Sequence, residues 1–129
     1  IWMDGRFVPW REAKVHILTH AMHYASAVFE GERMYDGRIF ALEAHTDRLF
    51  RSAELLDFAI PFSKHEVNRA CIEACAKNAM TDCYIRPIAW RGAEQLSVSA
   101  LNTKIHMAIA VWSWPRYRAY WEGTATVRP

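Results

Sequence analysis

Two Asp-Gly pairs, Asp4-Gly5 and Asp36-Gly37, each stand between short runs rich in β-branched and aromatic residues. Aspartate followed by glycine tolerates the positive φ angles of a two-residue type I′ turn, whose twist matches that of an antiparallel strand pair. The first pair joins IWM to RFV and the second joins AVFEGERMY to RIFAL, so two hairpins are expected before any long helix. Parallel strands need long crossovers, and a chain that opens this way is directed toward an antiparallel sheet.

The pattern then changes. From Glu43 to about Phe58, Leu49, Ala53 and Leu56 recur at steps of four and three, the stripe of an amphipathic helix, and Pro61 lies just beyond its end. Ser63-Lys-His-Glu66 has the form of a capping box, which predicts a second helix from Lys64 to about Ala79 burying Val67, Ala70, Cys71, Ile72 and Cys75. After Thr81-Asp82 two strands are expected, CYIRPIAW and KIHMAIAVWSW, separated by the polar loop RGAEQLSVSALN. Pro87 lacks a backbone N–H, which argues for an edge position or a bulge in the first of them. The order ββ-ββ-αα-ββ describes an α+β fold: an antiparallel sheet built from hairpins, with two helices packed on one face.

Composition narrows the function classes. At 129 residues, 52% hydrophobic and 23% charged, the chain suits one ordinary core. The 16 basic and 14 acidic residues are scattered, without the basic stripe that nucleic-acid binding needs. No apolar run nears the roughly 20 residues of a membrane span, and IWMDGRFVPW has neither the basic head nor the apolar stretch of a signal peptide; a soluble, cytoplasmic protein is expected. Six Trp residues are many for a domain of this size, and some are expected to bury against another domain or subunit. Cys71, Cys75 and Cys83 form no Cys-x-x-Cys pair and read as reduced, buried thiols. His16, His20 and His23 are spaced to share a helical face, but no carboxylate or Cys accompanies them, so structural roles and no metal are expected.

Tyr84 and Arg86 lie two apart on a predicted strand and so point to one face, placing a phenol beside a guanidinium. From residue type alone, Arg86 is equally well read as a surface arginine lying over apolar neighbours, Arg48 as a solvated charge on its helix, and Val28, Phe29 and Gly31 as strand core and a bulge.

Three longer stretches say more. KVHILTHAMHYASAVFEGERMY, HTDRLFRSAELL and YIRPIAWRG resemble the N-terminal small domain of the branched-chain amino acid aminotransferases, which are class IV, fold-type IV pyridoxal-phosphate enzymes. The likeness runs from Ile1 to about Pro115, leaving residues 116–129 as a poorly matched tail or the start of an interdomain linker, whether rearranged, truncated or joined across absent residues. What the resemblance implies is amino transfer from leucine, isoleucine or valine to 2-oxoglutarate, by a homodimer or higher homo-oligomer, with pyridoxal 5′-phosphate as cofactor. It implies that Arg48 contacts the cofactor phosphate. Tyr24, Phe29 and Gly31 would line the pocket for the branched side chain, with Arg33 near its entrance. Arg86 would receive the distal carboxylate of glutamate or 2-oxoglutarate, with Tyr84 near the α-carboxylate. Val98, like Tyr24, would reach into the neighbouring subunit's site. The family's catalytic lysine belongs to a second domain. Lys14, Lys64, Lys77 and Lys104 lie in no segment resembling its motif, so no catalytic residue is assigned here and this chain alone is expected to be inactive. Two alternatives stand beside this reading: another fold-type IV enzyme, such as D-amino acid transaminase or aminodeoxychorismate lyase, and a non-catalytic dimerising module.

Overall fold

The computed structural model describes residues 1–114; the tail expected at 116–129 lies outside the described residues. Both Asp-Gly pairs form hairpins. The first joins β1 (Trp2–Met3) to β2 (Arg6–Phe7) and the second joins β4 (Glu32–Tyr35) to β5 (Arg38–Ile39). Asp4, Gly5, Asp36 and Gly37 all take positive φ, as a type I′ turn requires.

Between the hairpins lie a short helix that the sequence patterns did not mark, α1 (His20–Tyr24), and β3 (Ala27–Phe29). Two long strands, β6 (Cys83–Arg91) and β7 (Ile105–Trp112), form the middle of one antiparallel sheet. Its order is β2-β1-β7-β6-β4-β5, with β3 also paired to β6.

Two expectations about the sheet need correction, and one residue explains both. AVFEGERMY is two strands, interrupted at Glu30 and Gly31, and Pro87 lies in the central strand rather than at an edge or bulge. The pairs Phe29↔Ile88 and Glu32↔Ile85 keep one register, so no residue is inserted. The Pro87 carbonyl accepts the Glu30 N–H at 3.0 Å, which turns the nitrogen of Pro87 toward the same neighbour. With no proton on that nitrogen the reciprocal bond cannot form, and the ladder breaks there without a shift.

Helix α2 (Leu42–Leu55) ends about three residues before the expected limit. Asp57 adopts φ 55°, and the Phe58 N–H returns to the Ala53 carbonyl at 3.1 Å, closing a Schellman turn. Phe58 is thereby folded into the core, while Leu56, expected on the buried stripe, is left exposed. Helix α3 (Lys64–Lys77) begins with the capping box, Glu66 N–H to Ser63 Oγ and Ser63 N–H to Glu66 Oε2. It ends in the same way as α2, with Ala79 at φ 50° and the Met80 N–H on the Cys75 carbonyl. Val67, Ala70, Cys71, Ala74 and Cys75 are buried, whereas Ile72 is exposed because it falls well around the helix from that stripe. Both helices cover one face of the sheet, where Cys83, Ile85, Ala89, Met107 and Ile109 complete the core. The architecture is the expected α+β arrangement.

Candidate active-site face

Alternation along β6 sends Cys83, Ile85, Pro87 and Ala89 to the helix layer and Tyr84, Arg86 and Ile88 to the opposite, open face. Pairing carries this face onto the neighbours. Arg33 lies across from Tyr84 and Phe29 across from Ile88, and continuity of register sets Gly31 opposite Arg86. Phe29, Gly31, Arg33, Tyr84 and Arg86 therefore share one surface.

The side chains there are in contact. Arg86 Nη2 donates to Tyr84 Oη at 2.7 Å, and the guanidinium lies over the Phe29 ring, 4.2 Å from its centroid. Arg86 Nε is buried and has no hydrogen-bond partner. Gly31 serves this pair directly, since a Cβ at that position would collide with Tyr84 Oη. Trp112 and Trp114 pack on Tyr84 with centroids 4.9 and 5.3 Å away, and Arg33 Nη2 donates to the Trp114 carbonyl at 2.7 Å. Farther along the same face, Met3, Val15, Met22, Ile88, Trp90 and Ala108 help line an apolar groove of about 340 Å³. The result is a largely apolar wall carrying two arginines, Arg33 and Arg86, held by aromatic rings rather than by an anion, and the charge of Arg86 beside Phe29 is still available to a carboxylate.

Arg48 is elsewhere. It projects from α2 and clasps Glu30 with two bonds, Nε to Oε1 at 2.5 Å and Nη2 to Oε2 at 2.6 Å. His45 Nδ1 lies 2.9 Å from Glu30 Oε2 and must carry a proton to bond a carboxylate. Burial by itself would raise the Glu30 carboxyl, but the bonds from Arg48 and His45 outweigh it and hold the group below its ordinary value. Glu30 faces the helix layer, so Arg48 and the Tyr84–Arg86 pair occupy opposite sides of the sheet.

The sequence matches the family described as Amino-transferase class IV over residues 27–128. The chain belongs to the class IV aminotransferases. Branched-chain-amino-acid aminotransferase of Pseudomonas aeruginosa is 46% identical over 121 residues, covering 91% of this chain and 39% of that protein. The Escherichia coli K12 enzyme of the same name is 36% identical, covering 91% and 40%. Among solved structures, the E. coli branched-chain amino acid aminotransferase superposes with a TM-score of 0.85 over 90% of this chain and 40% of that one. The T.th. branched-chain amino acid aminotransferase, complexed with N-(5′-phosphopyridoxyl)-L-glutamate, gives 0.84 at 42% identity, over 88% and 40%. The chain thus spans about two-fifths of the length of these relatives.

Two more predicted positions of this class IV aminotransferase chain meet each other, away from Arg86. The Tyr24 ring packs on His20 at 4.6 Å, and His20 Nε2 lies 3.5 Å from the carbonyl of Val98. The His20 N–H bonds to the Gly92 carbonyl, so this group sits past the far end of β6. Eight residues of strand separate Gly92 from Tyr84, on the order of 26 Å. His106 ties down the Val98 loop, meeting Asp4 Oδ2 through Nδ1 and Glu94 Oε1 through Nε2, each at 2.7 Å. Burial pulls the His106 imidazole toward the neutral form, and the two carboxylate bonds outweigh it and raise its pKa.

The three histidines considered for a metal have local partners instead. His16 Nδ1 accepts the Leu18 N–H, His20 Nδ1 meets Ser26 Oγ, and His23 Nε2 meets the Ile17 carbonyl. Cys71, Cys75 and Cys83 are buried free thiols, with 3.6 Å between the sulfurs of Cys75 and Cys83. No helix among the described residues is long and apolar enough to cross a membrane.

Sequence reasoning missed Glu30, Glu32 and His45, and it did not place Trp112 and Trp114. The tryptophans were within reach of the pattern: once β6 and β7 are paired, Trp112 lies across from Tyr84. The others were not. Glu32 is fully buried and neither carboxylate oxygen has a partner. Burial, and secondarily the neighbouring Glu30 charge, push its carboxyl up to about 8, so it is the neutral acid at pH 7.

Proposed function

We propose that residues 1–115 form the N-terminal small domain of a cytoplasmic, homodimeric branched-chain aminotransferase, with 116–129 leading toward a lysine-bearing second domain. The full-length enzyme would pass the amino group of leucine, isoleucine or valine to 2-oxoglutarate, using pyridoxal 5′-phosphate. One observation carries the reading: on a largely apolar sheet face, Arg86 is held by the Phe29 and Tyr84 rings and keeps an unpartnered buried N–H. A pocket that alternates between an aliphatic side chain and a carboxylate needs this combination, because Phe29 supplies apolar wall and Arg86 meets the charge when it comes. Tyr84 holds Arg86 in place between the two uses.

Arg48 fits the cofactor's phosphate, since its side chain is 64% exposed and keeps the donors of Nη1 free beyond those given to Glu30. When bound, pyridoxal phosphate supplies the electron sink for the proton movement at the substrate α-carbon. The lysine that moves that proton would come from the second domain. Here Lys64 pairs with Asp47, Lys77 covers the Phe7 ring, and Lys14 lines a cleft beside His106. The meeting of Tyr24 with the Val98 backbone through His20, far along the strand from Tyr84, supports the role of both residues at the site of a second subunit.

In the full-length enzyme, Arg86→Ala is expected to weaken 2-oxoglutarate relative to a branched keto acid by about 2–5 kcal/mol, the cost of losing one partner of a desolvated charge pair. Steady-state kinetics with both acceptors reads the difference. Equal losses for the two would overturn the assignment.

A further inference from the structure

Arg48 is mostly exposed, yet the carboxylate that grips it is 5% exposed. The anchor lies inside the helix–sheet layer and the guanidinium points out of it. A guanidinium has five N–H donors. Glu30 takes the one on Nε and one of the two on Nη2, and Nη2 also lies 3.3 Å from His45 Nδ1, which leaves the two protons of Nη1 pointing outward. His45 in turn fixes Oε2 of Glu30 from the neighbouring turn of α2.

We propose that Glu30 is a positioning residue for cofactor binding: it clamps one edge of Arg48 from the buried side and so presents the other edge to the cofactor's phosphate. The inference rests on the reading of Arg48 as the phosphate contact. Charge by itself works against it, because a carboxylate beside the arginine lowers the positive potential a phosphate meets. Orientation is what Glu30 contributes. A long, free arginine must lose its rotamer freedom when it binds, whereas an arginine already clamped loses that freedom during folding.

The two effects have opposite signs, which makes the inference testable. Apoenzyme of the full-length protein is titrated with pyridoxal phosphate, and separately with pyridoxal, by absorbance. Glu30→Gln is expected to weaken pyridoxal phosphate about three- to tenfold, the cost of immobilising one long side chain, and to leave pyridoxal unchanged. Combined with Arg48→Ala, it should add nothing to the larger loss caused by Arg48→Ala alone. Tighter binding by E30Q, equal weakening of both ligands, or full additivity in the double variant would each overturn the proposal. If Arg48→Ala alone leaves pyridoxal phosphate binding unchanged, the phosphate reading of Arg48 fails first and the role of Glu30 falls with it. Should E30Q not fold, Glu30→Asp keeps the charge but draws the clamp back by one methylene. It should weaken pyridoxal phosphate selectively, and wild-type affinity in that variant would overturn the proposal.

Discussion

On the helix-covered face of β3 and β4 the charged groups are carboxylates, Glu30 and Glu32, while on the open face of the same sheet they are guanidinium groups, Arg33 and Arg86. The two faces hold charge by different means. Arg86 lies over Phe29 and Tyr84, and Arg33 over Tyr35, so rings stabilise both cations without neutralising them. Beneath the sheet, Glu30 is ionised because Arg48 and His45 donate to it, and Glu32, two residues along, is held neutral because nothing does. The open face keeps charge available to a ligand, and the covered face either pairs it or removes it. Alternation from β3 across its break into β4 therefore separates available charge from paired or neutral charge within a few residues.

The largest expected effect tests the covered face. Folded Glu32 titrates near 8, against 4.5 for the ordinary carboxyl. Between those values the folded state keeps a proton that the unfolded chain releases, so the contribution of Glu32 to stability is greatest below about pH 4.5, falls as pH rises, and levels off above about 8. The total reaches roughly 5 kcal/mol at 1.36 kcal/mol per pKa unit. Urea melts at pH 5.5 and 8.5 should show about 3 kcal/mol of this loss, Glu32→Gln should remove most of it, and Glu32→Met should be the more stable protein at the higher pH. The same pH dependence in wild type and E32Q would show that this carboxyl is not the group responsible.

The second effect belongs to the open face. Gly31→Ala places a methyl against Tyr84 Oη and should break the Tyr84–Arg86 bond while leaving the core untouched. A hydrogen bond to a charged group contributes about 1.5–3 kcal/mol. Tyr84 and Arg86 are only part-buried, so water replaces the lost bond in the unliganded protein and the melting temperature should hardly move. In the full-length enzyme, by contrast, kcat/KM for 2-oxoglutarate should fall by up to that amount and Tyr84→Phe should reproduce the loss. If G31A lowers stability as much as activity, the two faces are not separable at this position.

How far the sequence led follows the same division. Periodicity and turn chemistry gave the hairpins, both helix starts and the face shared by Tyr84 and Arg86, because those depend on neighbours a few residues apart. The helix ends were missed because Asp57 and Ala79 occupy left-handed positions that glycine usually fills, leaving no glycine to mark them. Pro87 was misread because a strand interior tolerates it when the partner strand breaks opposite, which only pairing reveals. Resemblance supplied Arg48 and Arg86 but not Glu30, whose contact with Arg48 spans 18 residues and joins the break between β3 and β4 to a helix. No local pattern records that kind of partnership.

The smallest effect uses a second glycine to sharpen the first. Gly37, six residues beyond Gly31, has open space around its α-carbon but sits at φ 76°, so a methyl there meets backbone strain and no side chain. Gly31 is the reverse case, because the obstacle is Tyr84 and no left-handed angle is involved. Gly37→Ala should therefore cost about 1 kcal/mol of stability, the penalty for an L-residue in the left-handed region, and leave substrate discrimination unchanged. Measured side by side, G37A should shift the denaturation midpoint without touching the kinetics, and G31A should do the opposite. A shift in 2-oxoglutarate kinetics from G37A would mean that strain in the β4–β5 turn reaches Arg33 and the open face through β4, and the division between the faces would then have to be drawn farther along the strand.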